Sequence, residues 1–405
     1  MTIGEDLTAG ADRLVLTGGR VVTPDGVVDG GWLALADGHI SAVGSCSTAD
    51  PDDGGDEVDL DGRWVLPGFV DLHVHGGGGH SVLQGDPDAV AGAVAFHQAH
   101  GTTRTLLSLV TAPVDRMAAA LGRIADAVDV GDLPTVAGVH LEGPFLARVC
   151  CGAQDPAAMV DPDLDVADAL LAAGRGTVRV VTVAPERPGG LDLVRHLVER
   201  GPVVALGHSD ADTEVAQAAV AAGARLATHL ANAMRPLHHR DPGVFGVSLA
   251  DPEVVCELIV DGVHLHPVMV RLAAGAKGPD GVVLVTDAIA AAGVGDGRHR
   301  LGSIEVDVDA GVVRAVGTGA LAGSTLTMDA ALRGAIGCGW SIEAASRAAS
   351  LVPARVLGLD AETGSIESGK AADLVVLDAH LTVEAVLIGG RVAHDPSGRF
   401  RGRDG

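Results

Sequence analysis

LPGFVDLHVHGGGG, residues 66–79, is an apolar run that ends in a His-x-His pair and then breaks into four glycines. Alternate side chains of a β-strand lie on one face, so His73 and His75 are expected to point the same way from the strand's C-terminal end. Two imidazoles held so close together form half of a site for zinc or a related metal. The alternative is a buried strand with two hydrogen-bonded core histidines. It is less favoured because the pair stands directly before a glycine-rich turn.

The size and composition of the chain limit the classes of protein it can represent. Its 405 residues are compatible with one large α/β barrel plus a smaller unit. Hydrophobic residues make up 47% but aromatics only 2%, so a core of Val, Leu, Ile and Ala is expected. The net charge of −25 argues against binding to a nucleic-acid backbone, which needs clustered Lys and Arg. An anionic substrate would need a local positive pocket.

The sequence predicts no disulfide framework, export or membrane insertion. The cysteines have neither paired spacing nor zinc-ribbon spacing; they are Cys46, Cys150, Cys151, Cys256 and Cys338. Residues 1–11 lack the apolar core of a signal peptide, and no apolar run is long enough to span a membrane. We therefore expect a reduced, cytoplasmic protein without membrane or nucleic-acid partners.

From residue 64 the sequence alternates between apolar strand candidates and helical stretches. The eight strand candidates are 64–75, 103–109, 135–143, 177–185, 202–208, 225–231, 256–263 and 281–288. The helical stretches include 87–100, 113–128, 191–199, 211–222 and 267–274. This alternation predicts an α/β fold, a TIM-like (β/α)8 barrel whose chemistry lies at the C-terminal ends of the strands. An open doubly wound sheet is the alternative, but the sequence has neither a GxGxxG nor a Walker pattern.

The two ends of the chain have β character. Predicted strands lie at 14–16, 20–22, 32–35 and 40–43 before a surface loop at 47–57, and at 373–377, 383–388 and 391–393. A β-hairpin at 303–316 and helices at 328–336 and 342–349 precede the last group. We expect residues 1–66 and 356–405 to form one small β-sandwich domain, into which the barrel of residues 67–355 is inserted.

The predicted strand ends carry a set of metal-ligating side chains. Five further strands end in His, Glu or Asp, groups that are costly to bury unpaired. We expect His73, His75 and Glu142 to bind one metal and Glu142, His208 and His229 to bind a second, with Glu142 bridging. These nitrogen and oxygen ligands suit zinc, with iron, manganese or cobalt as alternatives.

The remaining strand-end residues suggest how such a site could work. A carbamylated lysine bridging two metals is excluded, because Lys277 and Lys370 lie outside the predicted barrel strands. Asp287 is expected to be the general base that takes a proton from water and returns it to a leaving amine. The alternative for Asp287 is a metal ligand or a helix N-cap. His140 is expected to lie behind the ligands.

Motifs spread over almost the whole chain resemble the amidohydrolase superfamily, and within it the deacetylases of N-acetylglucosamine 6-phosphate. LEGPF and the THLxNAM pattern are the most specific, because generic amidohydrolases lack them. The matching segments are PGFVDLHVHGGGG (67–79), HLEGPF (140–145), GHSDA (207–211), THLANAM (228–234), HHRDPG (238–243), DGVHLHP (261–267), VTDAIAAAG (285–293), LAGSTLTMD (321–329) and GKAADLVVLD (369–378). The resemblance implies a (β/α)8 barrel, a β-sandwich from both termini, a homodimer, and one or two divalent metals per chain.

The resemblance also implies where a sugar phosphate binds. Asn232 and the backbone at Ala233 are similar to phosphate contacts, with Arg240 as the cation, and His264 is similar to a contact to a sugar hydroxyl or the acetyl group. An Arg–phosphate bond is charge-assisted and directional. Without the family resemblance, a phosphate contact and an exposed position in a solvated loop are equally good interpretations of Arg240.

Two further substrate residues are implied by the motifs, and the chain departs from the family beside one of them. Leu321 begins the LAGSTLTMD motif, and Gln154 stands where many members carry His. Cys150 and Cys151 occupy a loop in which the family often has basic residues. Ala231 replaces the aromatic residue of the family's THLFNAM, which would widen the pocket.

The function implied is hydrolysis of N-acetyl-D-glucosamine 6-phosphate to D-glucosamine 6-phosphate and acetate, in amino-sugar catabolism and cell-wall recycling. In that mechanism a metal-activated hydroxide attacks the acetyl carbonyl, and Asp287 acts as general base and then acid. One rival is a different amide hydrolase of the superfamily, such as a dihydroorotase-like enzyme, which the missing strand lysine argues against. The other rival is a non-catalytic scaffold, which would have lost metal ligands.

Overall fold

The computed structural model describes residues 13–45 and 56–400. Before the barrel, five strands lie near the N-terminus: β1 Arg13–Thr23, β2 Gly26–Ala36, β3 His39–Gly44, β4 Asp56–Asp59 and β5 Trp64–Pro67. The two strands predicted at 14–16 and 20–22 are one long strand, β1, whose pairing with β2 shifts register around Gly19. The loop predicted at 47–57 is wrong at its end, because β4 begins at Asp56 and pairs in parallel with β1. Residues 1–11, Cys46 and the rest of that loop lie outside the described residues.

Eight parallel strands form a nearly closed barrel, which confirms the predicted fold class. They are β6 Phe69–Val74, β9 Thr102–Val110, β10 Val136–Glu142, β11 Val178–Val183, β12 Val203–Leu206, β13 Leu226–Ala227, β14 Val255–Leu258 and β15 Val282–Leu284. A small hairpin of β7 Gly76–Gly77 and β8 His80–Ser81 follows the first of them. The barrel strands are rich in buried Val, Leu and Ala, as expected of strands covered on both faces.

The helices surround the barrel, and several begin at side-chain caps such as Asp86, Asp163 and Asp212. The helices of the described residues are α1 Pro87–Gln98, α2 Val114–Asp129, α3 Leu164–Gly174, α4 Gly190–Arg200, α5 Thr213–Ala221, α6 Gly243–Ala250, α7 Pro267–Lys277, α8 Met328–Gly337, α9 Ile342–Ala349 and α10 Leu351–Val356. Helices α3, α6 and α10 are additions to the sequence prediction. No helix in the described part of the chain is both long and apolar enough to cross a membrane.

The predicted hairpin after the eighth strand is a three-stranded antiparallel sheet. Its strands are β16 Gly297–Leu301, β17 Ile304–Asp309 and β18 Val312–Ala315. Buried residues of this sheet form a small separate core with Ile289, Ala291 and Ala322. The insertion therefore packs beside the segment that follows strand β15.

Both ends of the chain contribute to one sheet, as predicted. The C-terminal strands are β19 Leu374–Leu377, β20 Val383–Ile388 and β21 Arg391–His394. The sheet order is β21-β20-β19-β5-β1-β2-β3, with β4 paired to β1, so β5 and β19 join the two ends. The predicted strand 64–75 is thus two strands, because β5 belongs to this sheet and only β6 enters the barrel. The exact boundaries of two domains at 66/67 and 355/356 stay a prediction.

Candidate metal centre

Two groups of buried side chains converge at the C-terminal ends of the barrel strands. The first contains His73, His75 and Asp287, and the second contains Glu142, His208 and His229. Within each group the ligand atoms all lie within 4.8 Å of one another. Residues up to 214 positions apart are brought together because parallel strands present their C-terminal ends at the same rim.

Glu142 lies between the two groups. Its Oε1 is 3.0 Å from Nε2 of His208 and 3.0 Å from Nε2 of His229. The same carboxylate is 3.4 Å from His75 Nε2 through Oε2 and 3.6 Å from His73 Nε2 through Oε1. A side chain that reaches all four imidazoles has the geometry expected of a bridging ligand.

Asp287 belongs to the first group, although the ligand set predicted from the sequence did not include it. Its Oδ1 is 3.1 Å from His75 Nε2 and 3.4 Å from His73 Nε2. The role of base was expected for Asp287, with a ligand role as the alternative. The geometry places its carboxylate where either role, or both, can be performed.

The histidine rings are fixed from behind. Three of the four Nδ1 atoms face an acceptor, so in the neutral ring that nitrogen is the protonated one and Nε2 keeps its lone pair. The acceptors are Glu257 Oε2 at 3.1 Å from His73, the Ser108 carbonyl oxygen at 2.9 Å from His75, and the Cys150 carbonyl oxygen at 2.8 Å from His208.

These tautomers test whether the residues fit a metal. Nε2 of His73 lies 3.1 Å from Nε2 of His75, and Nε2 of His208 lies 3.0 Å from Nε2 of His229. Two imidazole lone pairs that face each other at this distance need a cation between or beside them. Buried imidazole nitrogens and carboxylate oxygens are the donor set that first-row divalent ions prefer, so the residues fit such an ion in each group.

The pKa values of the centre favour anionic carboxylates and show that protons compete with a metal. Burial opposes the charge of His75, but its hydrogen bond to Asp287 and the nearby Glu142 raise its pKa to about 9. Burial likewise opposes ionisation of Asp287 and Glu142, but the charge of His73 outweighs it and lowers the pKa of both carboxyls. Both are therefore ionised at neutral pH.

The backbone at the rim adopts conformations that non-glycine residues rarely take. Five of the ten non-glycine residues with positive φ in the described part of the chain lie at this rim: His208 (48°), His229 (31°), Ala231 (73°), Ala233 (48°) and Asp287 (50°). Such angles cost of order 1–3 kcal/mol each and cluster at functional sites. Three of the five are candidate ligands or the proposed base: His208, His229 and Asp287.

A second layer of polar side chains lies beneath the ligands. His140, expected behind them, hydrogen-bonds Ser108 Oγ at 3.2 Å and Thr182 Oγ1 at 2.7 Å. Its pKa is lowered well below the usual value by burial and by the charge of His73, so it remains neutral. Glu257 was missed by the sequence analysis. The signal was present: it is an acidic residue within the otherwise apolar strand β14.

The predicted substrate residues are only partly assembled around this centre. Gln154 is buried, donates from its side-chain amide to Glu142, and accepts from the Thr111 N–H at 2.7 Å. His264 Nδ1 is held by Asp261 Oδ2 at 2.7 Å, which leaves the other ring nitrogen for a ligand.

The predicted phosphate residues lie on the loop after β13. Asn232 bonds back to the carbonyls of His229 and Leu230 at 3.2 Å. Arg240 is exposed and contacts His239 Nε2 at 2.8 Å, and none of the contacts among the described residues joins it to Asn232 or Ala233.

Two loops border the centre. The loop that begins at Leu321 reaches Asp287, whose carbonyl accepts the Ser324 N–H at 2.8 Å. A Cβ at Gly152 would lie 3.4 Å from His208 Cε1 and 3.7 Å from Ala233 Cβ, so the segment after Cys150 and Cys151 covers the second group. All four described cysteines are free.

Comparison with known proteins agrees with this geometry. Residues 64–393 match the model of the Amidohydrolase family. The chain is 39% identical over 382 residues to an N-acetylgalactosamine-6-phosphate deacetylase of Escherichia coli O157:H7, covering 94% of this chain and 99% of that protein. It is also 39% identical over 408 residues to the N-acetylglucosamine-6-phosphate deacetylase of Homo sapiens, covering 96% and 97%.

Solved structures show the same likeness. A mutant N-acetyl-D-glucosamine-6-phosphate deacetylase from Mycobacterium smegmatis, in complex with N-acetyl-D-glucosamine-6-phosphate, is 42% identical with a TM-score of 0.89. That comparison covers 95% of this chain and all of the other. The N-acetylglucosamine-6-phosphate deacetylase from Thermotoga maritima is 32% identical with a TM-score of 0.85, covering 94% and 99%.

Proposed function

This chain belongs to the amidohydrolase family, and from that premise we propose that it hydrolyses the acetamide of N-acetylglucosamine 6-phosphate to glucosamine 6-phosphate and acetate. The observation that carries the proposal is the position of Glu142, within 3.0–3.6 Å of four converging imidazoles. The named deacetylases that match the chain over nearly its whole length supply the substrate class.

Each group of side chains has a proposed part in holding metal. His73, His75 and Asp287 would hold one divalent ion, and His208 and His229 would hold a second. Glu142 lies between the two groups. When bound, such an ion acts as a Lewis acid and lowers the pKa of a water ligand toward about 7.

Asp287 is the proposed proton carrier. Its carboxylate is ionised at neutral pH, and the free carboxylate oxygen can accept a proton from the attacking water. The water oxygen bonds to the acetyl carbon, the C–N bond breaks, and the proton passes from Asp287 to the departing amine. His264, oriented by Asp261, is proposed to hydrogen-bond the acetyl group or a sugar hydroxyl through its free ring nitrogen.

The phosphate is proposed to lie against Asn232, Ala233 and Arg240, with Gln154 and Leu321 near the sugar. Because the protein carries a net charge of −25, an anionic substrate depends on such a local cation. Within residues 13–45 and 56–400, the exposed guanidinium of Arg240 contacts only the imidazole of His239, so it can turn toward a ligand. Zinc as the metal, a homodimer and a cytoplasmic place in amino-sugar metabolism stay predictions.

A second substrate is favoured by one observation. The Escherichia coli relative, matched over 94% of this chain, is an N-acetylgalactosamine-6-phosphate deacetylase. The two sugars differ only in the orientation of one hydroxyl.

The test is quantification of acetate and free amine from both sugar phosphates and from unphosphorylated N-acetylglucosamine. Acetate and amine in equal amounts from a phosphorylated sugar support the proposal. No release from either phosphorylated sugar by metal-loaded protein refutes it.

A further inference from the structure

One buried carboxylate, Glu257, contacts both groups of candidate ligands without belonging to either. Its Oε2 lies 3.1 Å from His73 Nδ1 and accepts the backbone N–H of His229 at 3.0 Å. His73 belongs to the first group and His229 to the second. A single oxygen atom therefore holds one ligand of each group.

The environment of Glu257 argues against a role in stability alone. The residue is fully buried on β14, and its other oxygen, Oε1, has no hydrogen-bond partner among the described residues. A buried, half-satisfied carboxylate lowers stability unless something compensates for it. The apolar strand around it would pack more favourably with an aliphatic side chain at this position.

The two contacts of Glu257 fix different properties of the ligands. As the acceptor for Nδ1–H, it sets the tautomer of His73 so that Nε2 faces the centre. As the acceptor for the His229 N–H, it holds a backbone with a φ of 31°, a conformation that a non-glycine residue rarely adopts. The rings of His73 and His229 are stacked with centroids 5.7 Å apart.

We propose that Glu257 is a positioning residue that couples the two metal groups: it sets the ring of His73 and the backbone of His229 at once. His75 and His208 rely instead on backbone carbonyls, each serving one histidine. Loss of Glu257 should consequently weaken metal binding in both groups, whereas loss of a carbonyl contact would affect one.

The experiment compares Glu257→Gln and Glu257→Ala with wild type. Gln retains an oxygen that can accept both hydrogen bonds but removes the charge, and Ala removes both contacts. Metal dissociation constants are measured by competition with a chromophoric chelator, with zinc as the probe. Cobalt-substituted protein reports the ligand field by its visible spectrum. Asp329→Asn is the matched control, because Asp329 is buried and its contacts are with His100, Thr327 and Arg333.

We expect Glu257→Gln to weaken both metal sites by roughly 10- to 100-fold, as is typical for residues that orient ligands. Glu257→Ala should weaken them further and alter the cobalt spectrum, while Asp329→Asn should leave metal affinity unchanged. If Glu257→Ala does not fold, the Gln variant alone decides the question. Weakening of only one site would overturn the coupling, and unchanged affinities and spectra would overturn the role of Glu257 altogether.

The inference rests on the proposed function only in assigning the two groups to divalent ions. Its readout is metal binding without substrate, so it holds or fails independently of which amide is cleaved. Wild-type protein that binds no divalent metal refutes the metal-dependent function and this coupling together. Wild-type protein that binds metal but does not deacetylate leaves the role of Glu257 intact.

Discussion

Replacing Asp287 with Asn separates the two roles that its position allows. Its Oδ1 lies 3.1 Å from His75 Nε2 and 3.4 Å from His73 Nε2, at the edge of the first metal group. Asn keeps the shape of the side chain but cannot carry the proton. If Asp287 is the base, kcat should fall by about 10²–10⁴-fold, which corresponds to about 2.7–5.5 kcal/mol in the barrier. KM should change little, because the proposed phosphate contacts persist.

The assay is steady-state acetate release across pH, combined with metal analysis of the same samples. Wild-type activity should fall at acidic pH, because protonation of Asp287 or displacement of metal by protons removes it. Asp329→Asn, which also loses a buried carboxylate, should retain activity and metal. If Asp287→Asn protein lacks one metal, the carboxylate is a ligand and the loss of rate cannot be assigned to proton transfer. Normal metal content with near-normal kcat refutes the proton role, and His140 becomes the next candidate for the base.

Four other substitutions test separate parts of the site and its support. Glu142→Ala should lose metal from both groups and His208→Ala should lose metal from one, and both variants should lose nearly all activity. Metal content is measured by mass spectrometry, and full metal content in Glu142→Ala would contradict the bridging geometry. Arg240→Ala should raise KM for the phosphorylated sugar roughly 10- to 150-fold, since a charge-assisted bond contributes about 1.5–3 kcal/mol. An equal rise in KM for the unphosphorylated sugar would show that Arg240 has a structural role instead. Burial lowers the pKa of His97 to about 4, so the unfolded chain binds an extra proton between pH 6.5 and 4, and stability falls as pH falls through that window. His97→Gln should remove up to about 3 kcal/mol of that pH dependence in urea unfolding of chelator-treated protein, and an unchanged slope would show that His97 does not cause it.

The convergence of the candidate ligands at one rim was predictable because it depends on short local patterns. His73 and His75 share one face of a strand, and Glu142 ends another apolar strand, so period and position sufficed. Residues 64–75 were wrongly predicted as one strand because they form a continuous apolar run. An apolar run reports burial but not which sheet buries it, and the break at Pro67-Gly68 separates two strands that belong to different sheets.

The grouping of Asp287 with His73 and His75, and the contact of Glu257 with His73, depend on closure of the barrel and were not predicted. Asp287 comes beside His73 because its N–H donates to the His73 carbonyl across the seam, 2.9 Å away and 214 positions apart in sequence. Glu257 reaches His73 across 184 positions for the same reason. Helix α6 was missed because its eight residues are apolar on nearly every side, which gives no helical periodicity.

The most direct test of the central claim is the ratio of kcat/KM for N-acetylglucosamine 6-phosphate to that for N-acetylglucosamine, measured on metal-loaded wild-type protein by acetate release. We expect chelation to abolish both activities and added divalent metal to restore them. We also expect kcat/KM to be at least about 10-fold higher for the phosphorylated sugar, because one charge-assisted contact supplies a factor of that size. Acetate release that survives removal of all metal, or that shows no preference for the phosphate, would contradict the central claim.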